Sequence, residues 1–104
     1  RWGPDFLDPF TFMNLFTTNS GNNKTGYSSE EYDKLVKDTA SVLATDNVAR
    51  YDNFLEAEKV LFEDAVIAPV YQASRAQLIS PKVKGVFVNP FGATYEYKWA
   101  DVAE

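Results

Sequence analysis

The chain has 104 residues, enough for one small domain and too few for two. Ten Lys and Arg against fifteen Asp and Glu give a formal charge of −5, with no strongly basic window, which argues against nucleic acid or an anionic membrane as a partner. Cys and His are both absent, which excludes zinc sites built on thiolate or imidazole, Cys nucleophiles, His general bases and disulfides; no cofactor or metal is implied.

Apolar residues make up 45% of the chain and aromatic ones 15%, so a packed core is expected rather than a disordered tail. That is more ring surface than a small core needs, and some of it is expected to face a ligand, a partner or further protein. The longest apolar runs, such as AVIAPVY at 65–71, fall well short of the ~20 residues a membrane-spanning helix requires. The first residue is Arg, so any targeting segment is expected upstream.

RWGPDFLDP places Trp2, Asp5, Phe6 and Asp8 within nine residues. DPFTFMNLF then predicts a short helix over 8–16, with Asp8 as N-cap, Pro9 at the first helical position and Phe12, Leu15 and Phe16 on one stripe. TTNSGNNKTGYSS reads as a long surface loop in which Asn19, Asn22 and Asn23 form turns. Ser28 stands three residues before Glu31, the capping-box spacing, and predicts a helix over 29–43 with Tyr32, Leu35, Val36, Thr39 and Leu43 along its buried face.

Thr45, Asp46 and Asn47 mark a break and offer caps for a further helix over 47–63. That helix is expected to bury Val48, Tyr51, Phe54, Leu55, the stem of Glu58, Leu61 and Phe62 in an antiparallel pair. After Asp64 the texture changes. AVIAPVYQASRAQLI predicts an extended segment that Pro69 confines to an edge, Ser80-Pro81 a turn, VKGVFV a strand around Gly85, and NPFG at 89–92 a further turn. TYEYKWAD alternates, putting Tyr95, Tyr97 and Trp99 on one face of a half-buried strand. The order is helices first and short strands last, an α+β arrangement whose three short strands make a poor sheet without partners from elsewhere.

Candidate chemistry is sparse. Glu30-Glu31 and Glu56/Glu58 lie among lysines on predicted helices and read as solvated faces. Asp5 and Asp8 beside Trp2 and Phe6 resemble a glycosidase acid pair in composition alone, and nothing else in the chain supports that chemistry. Trp2 and Asp5 put a ring and an anion in one turn of chain, which suits a cationic group: a hydrogen bond to such an ion contributes ~1.5–3 kcal/mol and a cation over a ring ~0.5–2 kcal/mol. Packing of Trp2 in a core, with Asp5 capping a turn before Phe6, fits the bare residues equally well.

Three blocks then carry a resemblance over essentially the whole chain: W-G-P-D-F-x-D-P, the Tyr32-Asp33 pair with Leu35, and Arg50-Tyr51 followed by Ala57-Glu58, Leu61, Asp64 and Pro69-Val70-Tyr71. Together they resemble the C-terminal part of the oligopeptide-binding proteins of ATP-binding-cassette importers. The resemblance implies a fragment of a two-lobed, periplasmic-binding-protein-like fold. Residues 1–64 would belong to the ligand-binding lobe, and 65–104 would return toward the first lobe, whose strands would complete the sheet.

It further implies that Asp5 receives a peptide's α-ammonium group in the interlobe cleft, that Trp2 and Phe6 shape a pocket, and that no covalent chemistry occurs. The implied partners are an oligopeptide and a membrane permease, and the implied location is extracytoplasmic, as a cell-surface lipoprotein or a periplasmic protein. The basic residues that some members use for the peptide's C-terminus have no counterpart here, and Arg1 does not align with them. Exposed apolar patches would also let the isolated fragment self-associate. The competing expectation is a carbohydrate-binding or structural interaction domain using the Tyr95/Tyr97/Trp99 face.

Overall fold

The structure is a computed structural model that describes residues 2–74, 76–89 and 94–103. Helix α1 covers Phe10–Met13 and tightens into a 3-10 turn over Asn14–Phe16. Pro9 rather than Asp8 is the N-cap, one residue later than predicted. Asp8 still stabilises the helix start, because its Oδ1 accepts the Phe10 N–H at 2.8 Å.

The 17–29 loop is organised by Asn23. Its amide donates to the carbonyls of Thr17 and Tyr27 at 3.2 and 2.8 Å, and its Oδ1 accepts from both the N–H and the hydroxyl of Thr25. The Thr18 N–H donates to Asp33 Oδ1 at 2.9 Å, which pins the loop to the next helix.

That helix, α2, spans Glu30–Thr39, shorter than the predicted 29–43 at both ends. Ser29, not Ser28, is its cap and accepts the Tyr32 N–H at 3.2 Å; Ser28 instead meets the Thr18 hydroxyl. The early stop has a long-range cause. In a continuing helix the Thr39 carbonyl would accept the Leu43 N–H, but Arg50 Nε donates to it at 2.8 Å, and Leu43 N–H bonds Asp38 O instead.

Helix α3 spans Asn47–Glu63, as predicted, with Asp46 Oδ1 accepting the Ala49 N–H at 3.1 Å. It ends in a Schellman motif: Ala65 N–H reaches Phe62 O and Val66 N–H reaches Leu61 O, with Ala65 at φ 52° where glycine is usual.

The helices bury Tyr32, Val36, Ala57 and Leu61, with Phe10, Met13, Phe16, Tyr27, Val60, Val66 and Ile67 packed around them. Ala57 has no side chain beyond Cβ, and this lets α2 lie close against α3. Phe54 is buried as expected, but Val48, Tyr51, Leu55 and Phe62 are exposed. Apolar residues occupy more than one side of α3, and α1 and α2 cover only one of them.

Tyr32 ties two helices together, its hydroxyl donating to Met13 O at 2.6 Å. Tyr32→Phe removes this tie, leaving Met13 O to the 3-10 turn alone, and is expected to cost about 1 kcal/mol, read as reduced amide-exchange protection in α1 and α2. Burial pushes the Tyr32 hydroxyl above its ordinary value of 10.0. Its contribution is therefore complete below pH 10.0 and is lost as pH rises through the folded value, so the phenylalanine variant should show a shallower alkaline loss of stability.

Strands β1 (Val83–Lys84), β2 (Phe87–Val88), β3 (Tyr95–Glu96) and β4 (Asp101–Val102) form one nested hairpin. β1 pairs antiparallel with β4, Val83 opposite Val102, and β2 with β3, Val88 opposite Tyr95. Most of the predicted NPFG turn, Pro90 to Gly92, lies outside the described residues.

The alternating TYEYKWAD does not make one strand. Between the two pairings, Gly85 and Val86 face four residues, Tyr97 to Ala100, which turn outward with Ala100 N–H bonded to Tyr97 O. The Tyr95 and Tyr97 rings stack, their centroids 5.9 Å apart, while Trp99 sits in the turn beneath the Lys98 ammonium. A single three-ring platform is thus not formed.

Residues 66–74 and 76–80 carry no regular element, so the segment expected to be extended forms no strand there. The fold is α+β, helices first and strands last. Its Cα radius of gyration is 18.4 Å and its extents are 60 × 32 × 23 Å, against about 13 Å for a compact domain of this length. The shape is that of two small packed units joined by a strand-like arm.

Candidate ligand-binding segment

Residues 2–9 run as irregular backbone ahead of α1, and two ties hold them. The stronger is ionic: the Arg50 guanidinium grips Asp8 with two parallel hydrogen bonds of 2.7 Å each. The same guanidinium lies 4.9 Å from the centre of the Phe54 ring and caps Thr39 through Nε. Arg50 therefore joins the N-terminal segment, the end of α2 and the body of α3. Its hydrogen bonds hold the Asp8 carboxyl below the ordinary 3.8, against the opposing effect of burial. Both Asp8 oxygens are engaged, so Asp5 and Asp8 do not form an acid pair with one free proton carrier.

The second tie is Thr11, only 5% exposed. Its Oγ1 accepts the Asp5 N–H at 2.9 Å and lies 3.3 Å from Asp5 Oδ2, to which it donates. Asp5 itself is exposed, and among the described residues nothing bonds its Oδ1.

The three residues singled out from sequence are not gathered into one pocket. Phe6, 47% exposed, lines a groove of about 870 Å³ with Leu7, Pro9, Phe12, Tyr51 and Gln72. Trp2, 38% exposed, and Asp5 are not among its walls, and Trp2 makes no hydrogen bond or ring contact with a described residue. The groove brings together the segment before α1, the outer face of α3 and the extended arm. Tyr51, Gln72, Thr11 and Arg50 were missed as parts of this region. Tyr51 was assigned to the core by its spacing, and the Asp8–Arg50 separation of 42 residues leaves no local signal.

No family model matches the chain. Among curated relatives, the dipeptide-binding protein DppE of Bacillus subtilis is 36% identical over 98 residues, covering 94% of this chain and 18% of DppE. The periplasmic oligopeptide-binding protein OppA of Salmonella typhimurium is 37% identical over 84 residues, 81% of this chain and 15% of its own length. The solved substrate-binding domain of an oligopeptide ABC transporter from Bacillus anthracis superposes on 99% of this chain with a TM-score of 0.82 at 36% identity. The chain is homologous to one segment of these peptide-binding proteins.

The pheromone receptor PrgZ, whose peptide-binding mode has been solved, has the same local fold, with a TM-score of 0.75 at 36% identity over 99% of this chain. The chain spans about a fifth of the length of these relatives: 20% of the Bacillus anthracis protein and 19% of PrgZ. These relatives bind peptides, and the carbohydrate-platform reading of the aromatic residues has no support from them or from the broken strand. No helix among the described residues is long and apolar enough to cross a membrane.

Proposed function

We propose that this chain forms part of a peptide-binding protein of an ABC importer, in which Asp5 pairs with the ligand's N-terminal ammonium and Trp2 and Phe6, which share no pocket within this chain alone, help to wall the cleft of the whole protein. The observation that carries the reading is the state of Asp5: an exposed carboxylate, held in place through its own N–H and one oxygen, with the other oxygen bonded by none of the described residues. A carboxylate held this way has less rotamer freedom to lose when a cation arrives.

Residues 1–64 then supply part of the ligand-binding lobe, and 65–104 lead back toward the other lobe, whose closure over the peptide excludes water. The further partners on this reading are the rest of the two-lobed protein and a membrane permease. The location is extracytoplasmic, as for the periplasmic OppA relatives, with or without a lipid anchor. The protein carries out no covalent step.

Calorimetry on the full-length protein with tri-alanine and N-acetyl-tri-alanine tests the role of Asp5. The wild type should prefer the free amine, and Asp5→Asn should weaken tri-alanine binding by about 10- to 100-fold while changing the acetylated peptide little. Equal binding of tri-alanine by the two proteins removes Asp5 from this role.

A further inference from the structure

Asp5 lies on irregular chain, and a carboxylate on such a segment has two side-chain torsions to set. The structure supplies a reason why they are set. Thr11 is the second residue of α1, almost completely buried, and its single hydroxyl meets Asp5 twice. The Asp5 N–H approaches Oγ1 at 2.9 Å and occupies one of its lone pairs; the hydroxyl proton is then directed to Asp5 Oδ2 at 3.3 Å.

A helical Thr ordinarily returns its proton to a carbonyl of the preceding turn. Here the carboxylate takes it. The ring so closed fixes both the backbone and the side chain of Asp5 and leaves Oδ1 as the oxygen that nothing in the described structure occupies.

We infer that Thr11 is the positioning residue of the ligand site: it orients Asp5 so that Oδ1 meets the ammonium, without itself touching the ligand. This rests on the reading of Asp5 given above. The mechanism is pre-organisation, since a carboxylate left to sample its rotamers must be ordered by each ligand that binds.

Its position depends in turn on α1, whose start is held by the Asp8–Arg50 pair three residues away. A Val at position 11 has nearly the volume of Thr with neither the acceptor for the Asp5 N–H nor the donor for Oδ2. Ser keeps both.

The test uses the full-length protein with tri-alanine and N-acetyl-tri-alanine. Thr11→Val should lower tri-alanine affinity by about tenfold and leave the acetylated peptide within about twofold, while Thr11→Ser should retain most of the wild-type preference for the free amine. If Thr11→Val does not fold, Thr11→Ala, which removes volume rather than adding it, carries the same expectation.

Two results overturn the inference while leaving Asp5 in place: wild-type affinity in the variant, or an equal loss for both peptides, which marks a merely structural Thr. Failure of the underlying reading is distinguishable, because Asp5→Asn would then bind tri-alanine as the wild type does.

Discussion

Gly85→Ala is expected to unpair the nested hairpin. Gly85 has φ 70°, a conformation in which an L side chain costs about 1–2 kcal/mol by itself. The larger effect is steric. A Cβ at this position would overlap the carbonyl oxygen and carbon of Trp99, and these are backbone atoms that no rotamer change can move aside. Relief requires the Tyr97–Ala100 turn to swing away.

That movement breaks the pairing of Lys84 with Asp101 and the Ala103 N–H to Lys82 O bond beside it. Amide exchange on the full-length protein should show loss of protection across 83–88 and 95–103, with α2 and α3 unchanged. Unaltered protection in β1 and β4 would contradict this account.

Arg50→Met should have the second large effect, about 3 kcal/mol, near the lower end for breaking a buried ion pair because Asp8 and Arg50 side chains keep 22% and 15% exposure. Three things go together: the paired hydrogen bonds to Asp8, the donor to Thr39 O and the stacking on Phe54. Arg50→Lys keeps the charge without the fork and should recover only part of the loss.

The acid side gives an independent readout. Asp8 titrates below its ordinary 3.8 in the folded protein, so its stabilisation is present above pH 3.8 and is lost as pH falls through the folded value. The methionine variant should lack that part of the acid transition in denaturation curves followed from neutral pH to well below 3.8. A variant with the wild-type acid limb would show that the pair does not govern it. On the proposed roles of Asp5 and Thr11, peptide binding by the full-length protein should also weaken, because α1 carries Thr11 and leans on this pair.

Local rules read some elements well and others badly, for identifiable reasons. Helix α3 was legible end to end: Asp46 caps it, and no competing contact shortens it. Its burial pattern was not, because apolar spacing on several sides does not say which side is covered; Tyr51 and Phe62 follow the same periodicity as Leu61 and stay exposed. For α2 the pattern ran on to Leu43, but Arg50 withdrew the Thr39 carbonyl from the helix.

The last strand failed differently. Its alternation from Tyr95 to Trp99 is a property of the chain, whereas the turn at Tyr97–Ala100 exists because only two residues, Gly85 and Val86, face those four across the hairpin.

By itself the sequence determined the α+β order, the positions of the helices to within a few residues, the absence of thiol and imidazole side chains, and the ordered motifs that the chain shares with peptide-binding proteins. These depend on residue type and near-neighbour spacing. Tertiary structure alone decided how Asp5 is held, because the hydroxyl that orients it lies six residues on and acts only once α1 is docked, and the pair that docks α1 joins residues 42 apart. Contacts of that separation form when packing brings distant side chains together, and no periodicity along the chain encodes them.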